Sequence, residues 1–184
     1  MSESTRVASV PIRAAGWRET TILLTTAWLV PFLVHLLPWS GHRPLGVYVL
    51  PVFWTTFVAL YFRGAVLGLL VGLVTPLINL AITGLPVSTT IGSMALEVFF
   101  FTLAAVLLVR RWPGLWITAP VAWIIGKGLA IVVQNFIPAF AEYETPWAHL
   151  ARSTQNGLAG LAVLAVINVL LVKFYPKTDA WEKE

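Results

Sequence analysis

An all-α integral membrane fold, a six-transmembrane-helix bundle with both termini in the cytoplasm, is what this sequence predicts on three observations. Of its 184 residues, 58% are hydrophobic and 11% charged, whereas a soluble domain carries roughly 45–50% apolar and about 25% charged residues. Mean hydropathy is +0.83. The apolar residues gather into runs near the length of about 20 residues that a helix needs to cross the hydrocarbon core. Lysine and arginine, finally, crowd the ends of those runs on one side.

The elements follow in order. Residues 1–19 are polar and carry Arg6, Arg13 and Arg18, which makes them a cytoplasmic N-terminal segment. The apolar run 20–38 is longer than a signal-peptide core and lacks a small-x-small cleavage site, so it reads as an uncleaved first span. Runs at 45–62, 64–82, 91–109, 115–138 and 153–174 supply five more, so 20–174 forms a single membrane domain and 175–184 a cytoplasmic tail. With six spans, Arg6, Arg13, Arg18, Arg63, Arg110, Arg111, Lys173, Lys177 and Lys183 share one side, and only Arg43 and Arg152 the other. Short cytoplasmic loops hold the basic excess, which places both termini inside. Trp17, Trp39, Trp112, Trp116, Trp147 and Trp181 fall at span ends, where amphipathic rings favour the headgroup region. Trp28, Trp54 and Trp123 lie within spans and either face lipid or line a pocket. Pro31, Pro51, Pro76 and Pro120 also fall within spans and predict kinks.

Composition excludes several functions. There is no cysteine, hence no disulfide, thiolate metal site or thiol catalysis. The formal charge of +4 comes from basic residues scattered between apolar runs, a pattern of membrane topology and not of nucleic-acid binding. No GxSxG elbow, HExxH helix or GxxxxGK(S/T) loop is present, so the chain reads as no enzyme, without cofactor or metal of its own. His35 has no second histidine at ligand spacing. If solute moves with ATP, another chain hydrolyses it.

Against this background the ionisable residues inside the runs stand out, because charge at membrane depth faces a bundle interior, pairs, and marks a solute or ion path. Glu97 and Lys127 are such residues. With the N-terminus inside, His35, Asn79, Glu97, Gln134, Asn135, Gln155 and Asn156 fall in the outer half of the membrane, Lys127 near its midplane and Asn168 toward the cytoplasm. A pocket open to the exterior needs this one-sided distribution. Lys127, Ile131, Gln134 and Pro138 recur at helical spacing, which puts Lys127 and Gln134 on one face. The competing reading is that Glu97 and Lys127 neutralise each other as a structural pair, with the asparagines as interhelical hydrogen-bond partners. Gly64, Gly68 and Gly72, and Ala122, Gly126 and Ala130, form small-residue stripes that serve either packing within the bundle or docking of a partner.

The stretch PLINLAITGLPVSTTIGSMALE from Pro76 to Glu97, with Thr83, Gly84 and Pro86 at its break and Arg110 and Arg111 closing the next helix, resembles the substrate-binding S components of energy-coupling factor (ECF) transporters. The preceding LPVFWTTFVALYFRGAVLGLLVG is similar to that family's second and third helices. Where the family's first helix often carries AxxxA, this chain has Ala27 and Pro31. The resemblance implies a binding subunit in the cell membrane for a vitamin or similar micronutrient. Its partners would be a transmembrane coupling subunit and two ATPases that use the ATP. Solute would enter from outside under loops 40–44, 83–90 and 139–152. The site it suggests comprises Asn79, Glu97, Lys127, Gln134, Asn135 and Asn156, with Trp123 or Trp147 offering a ring face. Two alternatives from the residues alone are a secondary transporter or channel that uses Glu97 and Lys127, and a non-transporting assembly or scaffold protein.

Overall fold

Glycine, proline and one unusual leucine decide where the helices stop. In the computed structural model, residues 45–84, 88–137 and 145–175 are described throughout, together with isolated positions between 18 and 40. Among the described residues there is helix and no strand. Described positions of the first expected span, from Thr21 to Val34, are helical; Trp28, Pro31 and His35 lie outside the described residues, as do 1–17 and 176–184.

Seven helices follow: α1 (Leu45–Val49), α2 (Pro51–Arg63), α3 (Ala65–Thr83), α4 (Ser88–Arg111), α5 (Thr118–Asn135), α6 (Pro146–Asn156) and α7 (Leu158–Phe174). Gly64 at φ 88° and Gly84 at φ 71° bound α3, using backbone angles that side chains with a Cβ disfavour. The expected spans 64–82 and 91–109 correspond to α3 and the body of α4. Stretches within these two, Ala65–Ile82 and Thr90–Arg111, are long and apolar enough to cross a membrane, and α6 with α7 would make a third if counted as one bent span.

Two expected spans are broken. Run 45–62 divides at Leu50, a non-glycine residue at φ 54° and ψ 42°, a conformation that costs roughly 1–2 kcal/mol. Run 153–174 divides at Gly157, where α6 and α7 bend by 67°. The two breaks meet: a Cβ at Gly157 would stand 3.2 Å from Leu50 Cδ1, and one at Gly160 would stand 2.7 Å from the Val49 carbonyl oxygen. Loop 139–152 is also shorter than expected, because Thr145 caps α6 and accepts the Ala148 N–H. Pro51 occupies the first turn of α2 and Pro120 that of α5. Backbone N–H groups there have no intrahelical partner anyway, so these two prolines start helices instead of kinking them. Pro76 alone of the described three lies inside a helix.

The core is aromatic. Phe53 meets Phe101 edge-on at 5.2 Å and Trp123 at 6.2 Å, with Phe57, Leu60, Val98 and Leu164 fully enclosed. Outward faces are just as apolar: Phe99, Leu103 and Leu107 form an exposed row along α4, and Ile125, Leu129, Val132 and Phe136 one along α5. Polar Thr56, Thr75, Asn79, Thr102, Gln134 and Asn168 are meanwhile buried. A surface of continuous apolar rows marks contact with a nonaqueous or protein environment. The small residues are used within the bundle, since a Cβ at Gly72 would strike Val98 and Thr56, and one at Gly68 would strike Leu60.

Asn168 shows how buried polarity serves the fold. Helix α5 begins at Ile117 with no side-chain cap of its own. From α7, Asn168 Oδ1 accepts the Ala119 N–H at 2.8 Å and its Nδ2 donates to the Leu115 carbonyl at 3.0 Å. Replacing it by leucine strands the buried Ala119 N–H, at a cost of about 1–3 kcal/mol, and leaves the Leu115 carbonyl with the Thr118 hydroxyl alone at 2.9 Å. Asn168→Leu is therefore expected to lower the unfolding midpoint in detergent more than Asn135→Leu, whose amide serves only its own helix; equal midpoints would contradict the cap.

Candidate functional site

Helices α4 and α5 run antiparallel in close contact. A Cβ placed on Gly126 would lie 2.5 Å from the Phe101 backbone nitrogen, so the two backbones approach as only glycine permits. One turn from Phe101 stands Glu97, and beside Gly126 stands Lys127. Lys127 Nζ donates to Glu97 Oε1 at 2.6 Å, and the two side chains are 12% and 13% exposed. The short separation and limited water access make this a strong charge-assisted hydrogen bond, with the desolvation of each ion offset by the other.

Two turns further along α5, buried Gln134 donates from Nε2 to the Ser93 carbonyl at 3.3 Å. Ser93 lies one turn before Glu97 on α4. The α4–α5 seam thus carries a polar stripe of Gln134, Glu97 and Lys127, as the helical spacing of Lys127 and Gln134 predicted. Asn79 is buried on α3.

The remaining expected residues are disposed otherwise. Trp123, one turn before Lys127, is 2% exposed and packs in the aromatic core beside the Gly157 bend. Its ring meets that of Phe53 in a T-shaped contact, and its buried Nε1 has no hydrogen-bond partner. Asn135 is exposed and donates to the Ile131 carbonyl of its own helix. Trp147 is 78% exposed at the start of α6, and half-buried Asn156 ends that helix at the bend. Sequence reasoning missed Ser93, whose contribution is a backbone carbonyl and leaves no mark in residue type. Among the described residues no three His, Asp or Glu side chains come together as a metal site.

Chemically, the stripe holds one cation and one anion whose charges cancel while closed, with an amide adjoining. It can exchange its internal bond for bonds to a solute bearing complementary charges, or hold α4 against α5. Comparison with known protein families, characterised proteins and solved structures finds no match to this chain.

Proposed function

We propose that this protein is a six-span, cell-membrane solute-binding subunit with cytoplasmic termini. On this reading it acts as the S component of an ECF-type importer for a vitamin-like micronutrient, with a coupling subunit and two ATPases as partners. The observation that carries the reading is the Glu97–Lys127 pair inside an apolar bundle, joined by Gln134 on the same seam; charge placed at such cost marks a solute path. The ECF resemblance of the stretch ending at Glu97 adds the partner set. A solute carrying both an amino or amide donor and a carboxylate suits the pair, because it replaces the partner of each ion without leaving net buried charge.

Native mass spectrometry of the gently purified protein tests this. The expected result is a retained small polar molecule at one per chain, lost in a Glu97→Leu/Lys127→Met double variant whose helical content is unchanged. An empty protein that mediates solute flux alone in liposomes, without ATP, would favour the secondary-transporter reading. The closed geometry of the pair equally favours a second reading, in which it locks α4 to α5 in an assembly protein; no retained molecule and no flux would support that one.

A further inference from the structure

The basic residues at one end of the bundle form a second charged feature, independent of the Glu97–Lys127 seam. Arg63 ends α2, Arg110 and Arg111 end α4, and Lys173 lies in the last turn of α7. Contacts show that these ends lie together. Tyr61 Oη donates to the Tyr175 carbonyl at 2.8 Å, and Phe62 meets the Tyr175 ring at 5.3 Å, which ties the end of α2 to the end of α7. Asn168 ties α7 to residues 115–119, which follow the end of α4 directly.

Four cations therefore share a level that carries no carboxylate among the described residues, since Glu97 is the sole described acidic residue and is bound to Lys127. Arg111 sits 5.7 Å over the Trp112 ring and Lys173 5.6 Å over that of Phe174, arrangements that hold the cationic heads against exposed aromatic faces. Trp112, Trp116, Phe174 and Tyr175 are all exposed at this level, a collar of rings suited to the headgroup and glycerol region. Arg110 provides the most specific sign. Its Nε is buried and has no hydrogen-bond partner, and a buried donor of a charged group calls for an acceptor.

We propose that this end binds the phosphate of an anionic phospholipid, with Arg110, Arg111 and Lys173 supplying the cationic field that holds the phosphate and the aromatic collar meeting the glycerol and upper acyl chains. The inference rests on the membrane placement in the proposed function and not on its solute site. Lipid adducts and solute adducts are separate masses, so either reading can fail alone.

The test incubates the full-length protein, in neutral detergent, with equal amounts of phosphatidylglycerol and phosphatidylcholine of the same acyl chains, and counts retained lipid by native mass spectrometry. Preferential retention of phosphatidylglycerol is expected. It should fall about fivefold in Arg110→Gln and about 25-fold in Arg110→Gln/Lys173→Gln, on the scale of one interfacial cation per step, with phosphatidylcholine unchanged. Lys173→Gln alone, at an exposed helix end, keeps the measurement decisive if Arg110→Gln loses helical content. Equal retention of both lipids, or unchanged retention in the Lys173 variant and the double variant, overturns the proposal. So does displacement by millimolar inorganic phosphate, which would make the site one for the free anion. A lipid preference that emerges only after Asp179→Asn, Glu182→Gln and Glu184→Gln would overturn it too, by assigning the cluster to the chain's own tail.

Discussion

Lys127→Met is expected to lower the stability of the bundle by about 3 kcal/mol, and Glu97→Leu by a similar amount, whereas the double variant recovers to within about 1 kcal/mol of the native protein. Each single substitution leaves one ion, now about an eighth exposed, without the partner that offsets its desolvation. Removing both exchanges the pair for apolar volume on a seam whose neighbours are already apolar. The cycle is read from unfolding in mixed micelles of rising denaturing-detergent fraction, followed by far-UV circular dichroism, and the coupling between the two positions is its result. Additive losses would show that the 2.6 Å contact contributes nothing beyond its separate side chains. Loss of solute retention in a double variant of native stability would in turn separate binding from scaffolding, since a purely structural pair is replaceable by hydrocarbon.

That sequence offered this pair as one of two readings, a mutual ion pair or two ligands of a solute, follows from how helices meet. Residue type and hydropathy place Glu97 and Lys127 within apolar runs, but the contact depends on an antiparallel α4–α5 seam whose register is set by Gly126 against the Phe101 backbone. The same distinction runs through the fold. Helices α3 and α4 were legible because glycine breaks, apolar length and closing arginines all agree locally. The break at Leu50 was not, because nothing about a leucine announces a left-handed backbone. What accommodates it is space at Gly157 and Gly160, more than a hundred residues away. Trp123 could equally have lined a pocket; Phe53 from α2 and the bend at Gly157 draw it into the core instead. The Asn168 cap was hidden for a like reason, since it satisfies a helix start 49 residues earlier in the chain. Periodicity reports which face of a helix is polar, and tertiary approach decides what that face touches.

Gly126→Val is the substitution expected to do most damage to the seam itself. At Gly68 the nearest atom to an added Cβ is the Leu60 Cβ of α2, fixed by its backbone but away from this seam, and at Gly72 the obstructions are Val98 Cγ1 at 2.4 Å and Thr56 Oγ1 at 2.6 Å, side-chain atoms that a change of rotamer can move. At Gly126 the three nearest atoms are all backbone, Phe101 N at 2.5 Å, Phe101 Cα at 2.6 Å and the Phe100 carbonyl carbon at 2.9 Å, and no rotamer relieves them. Helices α4 and α5 must then separate by about 1 Å or more to restore ordinary contact, which forfeits dispersion along the whole interface. Overpacking of this kind costs typically 1–3 kcal/mol and more when backbone must move. The separation also lengthens the Lys127–Glu97 contact beside it, so Gly126→Val should abolish most of the coupling in the double-variant cycle as well as lowering the midpoint. Gly126→Ala should show the same two effects at smaller size, and Gly128→Ala, where an added Cβ meets only Leu150 Cδ2 at 3.9 Å, should show neither. A cycle measured in the Gly126→Val background that kept its full coupling would mean that the ion pair holds its geometry without the close backbone approach, and would detach the chemistry of the seam from its glycine.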